Sequence, residues 1–203
     1  MARITRERIF KHRYAVLGEG ITEQWYLNHL KKYKAYRYTI KPSLFANIGL
    51  ENAERFIDNL LASGYDQITF LTDYDTILSQ NRQDQFDRLV RKYEGCCEVF
   101  ICESMPSIEI WFLLHFSYTT QEFVDYESIK RVLRRKLTGY EKSRKYLATA
   151  GWFDSLIQDG GLEKAQENAK RLLGRLKMGN VGRHCPFTKM HLAIEEFEKQ
   201  KRK

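Results

Sequence analysis

Acidic residues follow two apolar runs of the sequence, and their side chains are the ones best suited to chemistry. The first group is Gly18-Glu19-Gly20-Ile21-Thr22-Glu23, and the second is Asp73-Tyr74-Asp75. Mg²⁺ accepts one or two carboxylates, with water and substrate phosphate completing its octahedron. Two acidic groups that met at one place would repel each other unless a cation lay between them. The sequence therefore predicts a Mg²⁺ or Mn²⁺ site formed by Glu19, Asp73 and Asp75.

Either acidic group alone also has a purely structural interpretation. The glycines of the first group would let the backbone turn sharply, Thr22 can cap the following helix, and Glu23 would face the positive end of that helix. Asp73-Tyr74-Asp75 can form an ordinary turn. Only the two groups together favour a metal site over these local explanations.

A third segment, Cys102–Phe116, combines Glu103 and Glu109 with a strongly apolar run. Most of its apolar side chains are expected in the core. Glu109 lies in the first turn of the predicted helix, where it can join the metal site or simply interact with the helix dipole. His115 fits a buried structural histidine better than a catalyst.

The elements that must position these residues alternate short β-like runs with amphipathic helices. This order predicts an α/β fold with a mainly parallel sheet flanked by helices, followed by a helical C-terminal half. Ligands of such sheets bind beyond the carboxyl ends of the strands, where both acidic groups lie. The predicted strands are Tyr14–Leu17, Tyr38–Lys41, Gln67–Leu71 and Glu98–Cys102; the predicted helices are Thr22–Lys32, Leu50–Ser63, Arg82–Tyr93, Ser107–His115, Tyr126–Lys136, Leu162–Lys177 and Thr188–Lys199.

Length and composition favour one domain. A chain of 203 residues with 43% hydrophobic content can bury one core, so we expect a single domain with an α/β core at about 13–116 and a basic helical annex at about 117–203. The four cysteines, at 96, 97, 102 and 185, lack zinc-site spacing and are expected to be buried thiols, with Cys96 and Cys97 in a strand. Free cysteines in a sequence without a signal peptide favour the reduced cytoplasm. Because no apolar run is long enough to span a membrane, the protein is expected to be soluble, without a membrane partner.

The charge distribution permits a polyanionic partner. Thirty-four Lys and Arg against 26 Asp and Glu give a net charge of +8, concentrated in Met1–Arg13, Lys130–Lys145 and Lys170–Arg183. The alternative is a basic surface without a specific partner. If nucleic acid binds, its backbone contacts would fix position and weaken with salt. The candidate contacts are Arg131, Arg134, Arg135, Arg144 and Lys145; Tyr36 and Tyr38 could stack on bases, although core packing is the commoner fate.

The order of these motifs resembles the RloB-like family of bacterial defence-associated proteins. Its pattern contains an EGxTE segment, a DxD strand end and a Ser-x-Pro-x-x-Glu-x-Trp-x-Leu-Leu-His-Phe helix, which correspond here to Glu19–Glu23, Asp73–Asp75 and Ser104–Phe116. Met105 and Ile108 depart from the Asn and Phe usual in that pattern, without affecting an acid. Further traces of the pattern are Tyr140-Glu141-Lys142, Asn168-Ala169-Lys170 and Pro186-Phe187-Thr188.

The resemblance implies a Toprim-like fold, in which a strand-end glutamate and a DxD pair bind Mg²⁺. Glu19, Asp73 and Asp75 would then be metal ligands, with Glu23 and Glu109 as supporting acids. Lys142 would stabilise phosphate charge, although an exposed lysine in a basic stretch is the simpler interpretation. The family also implies a separate ATPase partner, and this sequence contains no Gly-x-x-x-x-Gly-Lys-Ser/Thr loop of its own.

Three functions would use these residues. The leading hypothesis is a Mg²⁺- or Mn²⁺-dependent nuclease of an antiviral (abortive infection) defence system, which hydrolyses nucleic-acid phosphodiesters. The alternative is a noncatalytic nucleic-acid-binding subunit that works with the ATPase. A third hypothesis is a phosphohydrolase that uses the same acids on a small nucleotide.

Overall fold

A five-stranded, mostly parallel sheet forms the centre of the protein. A computed structural model of the protein describes residues 12–42, 49–179, 182 and 184–201. The strand order is β2-β1-β3-β4-β5; the first four strands are parallel, and β5 pairs antiparallel with β4. The strands are β1 Tyr14–Gly18, β2 Thr39–Lys41, β3 Gln67–Asp73, β4 Val99–Met105 and β5 Phe187–Thr188.

Helices cover both faces of the sheet. Alternate strand residues point to opposite faces, so Val16 of β1 packs in one apolar cluster while Ala15 and Leu17 pack in the other. Helices α2, α3 and α4 supply the cluster around Leu17, and the remaining helices supply the larger cluster around Trp111. The helices are α1 Ile21–Lys34, α2 Leu50–Ala62, α3 Tyr74–Ser79, α4 Gln83–Lys92, α5 Glu109–Leu114, α6 Tyr126–Leu133, α7 Arg144–Leu147, α8 Gly151–Ile157, α9 Gly161–Lys177 and α10 Met190–Lys201, with a 3₁₀ turn at Gln158–Gly160.

The strand order creates a crevice at the carboxyl ends of β1 and β3. The strand β2 lies beyond β1 on one side, and β4 lies beyond β3 on the other, so the connections that leave β1 and β3 diverge. At such a switch point the loops separate and leave room for a ligand. Glu19 follows β1 and Asp73 ends β3, which places both acids at this crevice.

The predicted α/β class and mainly parallel sheet are confirmed. Strands β3 and β4 run further than predicted, to Asp73 and Met105. The sequence patterns missed α3, α7, α8 and β5, which are all short. Thr188 was expected to begin the last helix but lies in β5, and that helix begins at Met190 instead.

The structure corrects the expected burial of two cysteines and confirms the expected burial of two tyrosines. Cys96 and Cys97 are not in a strand but in the turn before β4, and Cys97 is exposed, so only Cys102 and Cys185 are buried thiols. Tyr36 and Tyr38 pack in the core and are not available to stack on bases.

The basic segment Met1–Arg13 lies outside the described residues except for His12 and Arg13. Among the helices described, none has the length and apolar content needed to cross a membrane.

Candidate active site

A cleft of about 570 Å³ opens at the switch point of the sheet. Glu19, Glu23, Asp73 and Lys142 contribute four charged side chains to its lining. The rest of the lining comes from the starts of α1 and α2 and from the segment from α3 to α4: Gly20, Ile21, Gly49, Leu50, Glu51, Thr76, Ile77, Gln80 and Arg82. The structure thus brings together acids that are 54 residues apart in the chain, as the strand-end argument predicted.

Glu19 is held by the strand beside it. Its Oε1 accepts a hydrogen bond from Thr72 Oγ1 at 2.9 Å, and its Oε2 accepts one from the Asp73 backbone N–H at 3.2 Å. Burial raises the pKa of Glu19 to about 7; the two hydrogen bonds oppose this rise, and the charge of Glu23 adds to it. Near neutral pH the carboxyl group is therefore divided between its protonated and charged forms.

The glycines beside Glu23 provide space for its side chain. A Cβ at Gly18 would lie 2.9 Å from Glu23 Cβ, and a Cβ at Gly20 would lie 2.9 Å from Glu23 Oε2. Gly20 itself is extended, with φ −139°, and the chain bends at Glu19 and Gly20 between β1 and α1, in agreement with the turn expected there. The expected cap is wrong, because Gly20 is the N-cap residue and Thr22 lies buried inside α1.

Glu23 is almost completely buried at the start of α1, with 2% of its surface exposed. Its Oε2 has no hydrogen-bond partner among the described residues. Burial raises its pKa, and the charge of Glu109 raises it further, while Lys142 and nearby backbone amides lower it. A buried carboxylate oxygen without a partner is costly, which makes this atom a candidate to face a cation.

The two aspartates of the DxD pair have different surroundings. Asp73 lines the cleft, and its Oδ1 accepts a hydrogen bond from the Ile108 backbone N–H at 3.0 Å. Asp75 lies outside the cleft lining, in the first turn of α3, where its backbone N–H donates to the Pro106 carbonyl at 3.1 Å. Burial is the main cause that raises the pKa of both carboxyl groups.

Glu109 lies behind the cleft and is fully buried. Its Oε2 accepts a hydrogen bond from Ser107 Oγ at 2.6 Å, and its Oε1 accepts one from Tyr140 Oη at 2.8 Å. Both carboxylate oxygens therefore already have protein donors. This arrangement suits Glu109 to hold neighbouring groups in position.

Lys142 is placed among the acids and is not the exposed lysine of the simpler interpretation. Its Nζ lies 3.6 Å from Glu109 Oε1 and 4.8 Å from the centre of the Tyr126 ring. Burial alone would lower the pKa of Lys142, but Glu109, Glu23 and Asp73 outweigh burial and raise it. Lys142 is therefore a permanent cation at neutral pH.

The predicted nucleic-acid contacts are exposed but lie outside the cleft lining. Arg131 belongs to α6, Arg134 and Arg135 follow its last residue, and Arg144 and Lys145 begin α7. These two basic groups flank Lys142 in the chain. Arg134 Nε also donates to the Tyr140 carbonyl at 2.8 Å, which connects the basic helix to the residue that holds Glu109.

His115 is buried away from the site, as expected of a structural histidine. Its Nδ1 lies 2.9 Å from the Leu156 carbonyl oxygen, and burial lowers its pKa to about 3. Among the site residues that sequence reasoning did not assign, Thr72 and Tyr140 hydrogen-bond to the acids, and Arg82 lines the cleft. Tyr140 stands in a recognised family trace, but Thr72 and Arg82 carry no sequence signal.

The residues at the cleft suit a divalent cation chemically. Their oxygen donors are of the hard type that Mg²⁺ and Mn²⁺ accept, and Glu23 Oε2 has no protein partner in the described part of the chain. Within that same part, no three His, Cys, Asp or Glu side chains are already arranged as a complete ligand set. Glu19, Glu23 and Asp73 would hold the cation, and water and substrate phosphate would complete its coordination.

Comparison with known proteins connects this site to a family. The family model described as RloB-like protein matches residues 14–197, a range that contains every acid of the site and Lys142. No curated protein and no solved structure matches the chain. Because the family model covers most of the chain, from β1 into α10, this protein belongs to the RloB-like family.

Proposed function

We propose that this RloB-like protein is a Toprim-like nuclease of a bacterial antiviral (abortive infection) defence system, which uses Mg²⁺ or Mn²⁺ to hydrolyse phosphodiesters. The observation that carries the proposal is the convergence of Glu19, Glu23 and Asp73 with Lys142 at the switch point of the sheet. Acids with pKa values raised by burial and mutual repulsion are typical of functional sites.

The carboxylates would bind and orient the cation. Bound Mg²⁺ or Mn²⁺ supplies Lewis-acid stabilisation of a phosphoryl oxygen. Glu19 is partly protonated near pH 7, because its pKa is raised to about 7, and it must lose this proton to bind the cation. Glu23 offers a carboxylate oxygen that has no protein partner among the described residues. Asp75, the second carboxylate of the DxD pair, lies just outside the cleft lining and would be a further ligand of the cation.

Lys142 would stabilise the negative charge of the phosphate. Because its pKa is raised, it acts as a fixed cation and not as a proton acceptor. Glu109 and Tyr126 fix the position of its ammonium group. The basic residues of α6 and α7 would guide the nucleic-acid backbone toward the same place.

The defence role and the ATPase partner follow from the family resemblance. The sequence has no phosphate-binding loop for ATP hydrolysis, so any ATPase activity would belong to a separate subunit. The same cleft also admits a noncatalytic role, in which the basic helices bind nucleic acid for the ATPase.

Metal titration of the wild type and of the double variant Asp73→Asn with Asp75→Asn tests the proposal. We expect Mg²⁺ and Mn²⁺ to raise the melting temperature of the wild type and to support cleavage of DNA or RNA, and the variant to lose both responses. Asp87→Asn with Asp154→Asn, two exposed aspartates, provides a matched control that should retain both.

Each alternative function gives a different result. Nucleic-acid binding by a wild type that neither responds to metal nor cuts any polymer would establish the binding-subunit function. Hydrolysis of nucleotides without cleavage of a polymer would indicate the small-nucleotide phosphohydrolase.

A further inference from the structure

Arg82 adds a second cation to the lining of the acidic cleft. It is the N-cap residue of α4, and its Nη1 lies 2.6 Å from Glu51 Oε2 in the first turn of α2. Both side chains are substantially exposed, Arg82 at 38% and Glu51 at 52%. Exposed ion pairs contribute little to folding stability, so this pair can separate at small cost when a competing anion arrives.

The surroundings of Glu51 show that an anion fits beside Arg82. The Glu51 carboxylate folds back toward Gly49, where a Cβ would lie 2.5 Å from Glu51 Oε1. Because Gly49 has no side chain, the Glu51 carboxylate has room to lie beside it. The pKa of Glu51 is lowered by its own backbone N–H and by Arg82, so both of these groups stabilise negative charge at this place.

The charges of the cleft explain why a polyanionic substrate needs this cation. Glu19, Glu23 and Asp73 repel phosphate unless a cation neutralises them. A nucleic-acid strand carries further phosphates beside the one that is cleaved, and these need positive partners away from the carboxylates. The arginine guanidinium presents a planar set of donors that matches phosphate oxygens in pairs.

We propose that Arg82 binds a substrate phosphate adjacent to the scissile one, and that Glu51 occupies Arg82 while the cleft is empty. This inference rests on the proposed phosphodiester substrate. Glu51 thus acts as an internal competitor of the substrate, and Arg82 is a binding residue that positions the strand across the cleft.

The helices α2 and α4 are also joined by two ion pairs of Lys92, which serve as a control. Lys92 Nζ, at the end of α4, lies 2.7 Å from Glu54 Oε1 and 2.6 Å from Asp58 Oδ2. None of these three residues lines the acidic cleft. Removal of the Lys92 charge therefore breaks exposed ion pairs between the same helices without changing the proposed phosphate site.

The test measures binding and not cleavage. Fluorescence anisotropy with labelled single-stranded DNA and RNA oligonucleotides, in EDTA and again in Ca²⁺, would compare the wild type with Arg82→Gln, Glu51→Gln and Lys92→Gln, with oligonucleotide integrity checked on gels. We expect Arg82→Gln to weaken binding about tenfold, because the variant removes a charge-assisted hydrogen bond to phosphate. Glu51→Gln should tighten binding roughly two- to fivefold by removing the competitor, and Lys92→Gln should match the wild type.

The opposite signs of the two changes make the proposal falsifiable. Equal effects of Arg82→Gln and Lys92→Gln, weaker binding by Glu51→Gln, or no binding by the wild type in either condition would overturn it. Competition by a mononucleotide with the same dependence on Arg82 would assign the site to a free nucleotide phosphate instead of a neighbouring phosphate in a strand.

The outcome is separable from that of the proposed nuclease activity. Binding that follows the expected pattern without any metal-dependent cleavage would retain the phosphate site and reject the nuclease. Cleavage by the wild type together with unaltered binding by Arg82→Gln would retain the nuclease and reject the phosphate site.

Discussion

Glu19 shows how a single carboxyl group can couple folding, pH and metal binding. Its hydrogen bonds from Thr72 and the Asp73 backbone favour the charged form, but burial outweighs them and raises the pKa to about 7. Folding without a cation therefore favours the protonated group. A bound cation would reverse this preference, because it competes with the proton for the same oxygens.

The pH dependence of stability in EDTA should reveal the protonation of Glu19. Because the pKa of Glu19 rises from 4.5 to about 7 on folding, its contribution to stability is present below pH 4.5 and is lost as pH rises through 7. We expect the free energy of unfolding attributable to this group to fall by up to about 3 kcal/mol over that range. Urea unfolding of the wild type and Glu19→Gln at about pH 5 to 8 would measure the difference.

A matched control separates Glu19 from the overall charge of the protein. Glu167 is exposed on α9, so Glu167→Gln should retain the wild-type dependence on pH. Mn²⁺ should stabilise the wild type more strongly at about pH 8 than at about pH 6, since fewer protons then compete. Parallel stability curves for wild type and Glu19→Gln would contradict the assigned proton.

The start of α9 shows how closely the elements of the second half pack. Gly161 is buried in its first turn, and a Cβ there would overlap the Leu156 carbonyl oxygen at the end of α8. That carbonyl is also the partner of His115, just after α5. Three helices thus meet around one backbone oxygen, where a single methyl group does not fit.

Two glycines of α9 should respond oppositely to the same substitution. Gly161→Ala should destabilise the protein by about 1–3 kcal/mol, because backbone must shift to admit the methyl group. Gly174→Ala should stabilise it by about 0.5–1 kcal/mol, since Gly174 lies in the helix interior with open space around its Cα. Chemical denaturation would compare the two variants with the wild type; equal changes would show that the close approach to Leu156 is unimportant.

At the scale of the whole molecule, the acids of the proposed metal site and the basic residues of the proposed nucleic-acid surface lie in different places. Glu19, Glu23 and Asp73 line the cleft, whereas the basic residues Arg131, Arg135 and Lys145 are exposed on or beside α6 and α7. Lys142 stands between these helices in the chain and reaches the acids. A nucleic-acid backbone that binds the exposed cations could therefore approach the cleft through the region around Lys142.

The salt dependence of binding should report on these exposed cations. We expect the triple variant Arg131→Gln, Arg135→Gln and Lys145→Gln to weaken binding of every duplex DNA sequence similarly, because interactions with phosphate carry no sequence information. The slope of log affinity against log salt should become shallower by about 0.9 for each phosphate that the variant no longer neutralises.

A second triple variant tests whether the location of the charges matters. Arg55→Gln, Arg88→Gln and Arg91→Gln remove the same charge from exposed positions on α2 and α4. If binding responds to both variants equally, net charge alone governs association and the surface of α6 and α7 has no special role.

The sequence by itself determined the main sheet and the two acidic strand ends. Apolar strands and amphipathic helices alternate with clear periodicity, and side chains that follow parallel strands must meet at one edge of the sheet. Glu19 and Asp73 could therefore be assigned to one crevice without coordinates. The ordered motifs from Glu19 to Phe116 also identified the family.

Only the tertiary structure decided which charged groups face the cleft and which support it. Glu109 has its oxygens occupied by Ser107 and Tyr140, Lys142 is half-buried among the acids, and Arg82 joins the cleft lining. These relations depend on packing between residues far apart in the chain, and such packing leaves no periodic pattern in the sequence. The pKa shifts also depend on the tertiary structure, because these groups become buried and acquire charged neighbours only when the protein folds.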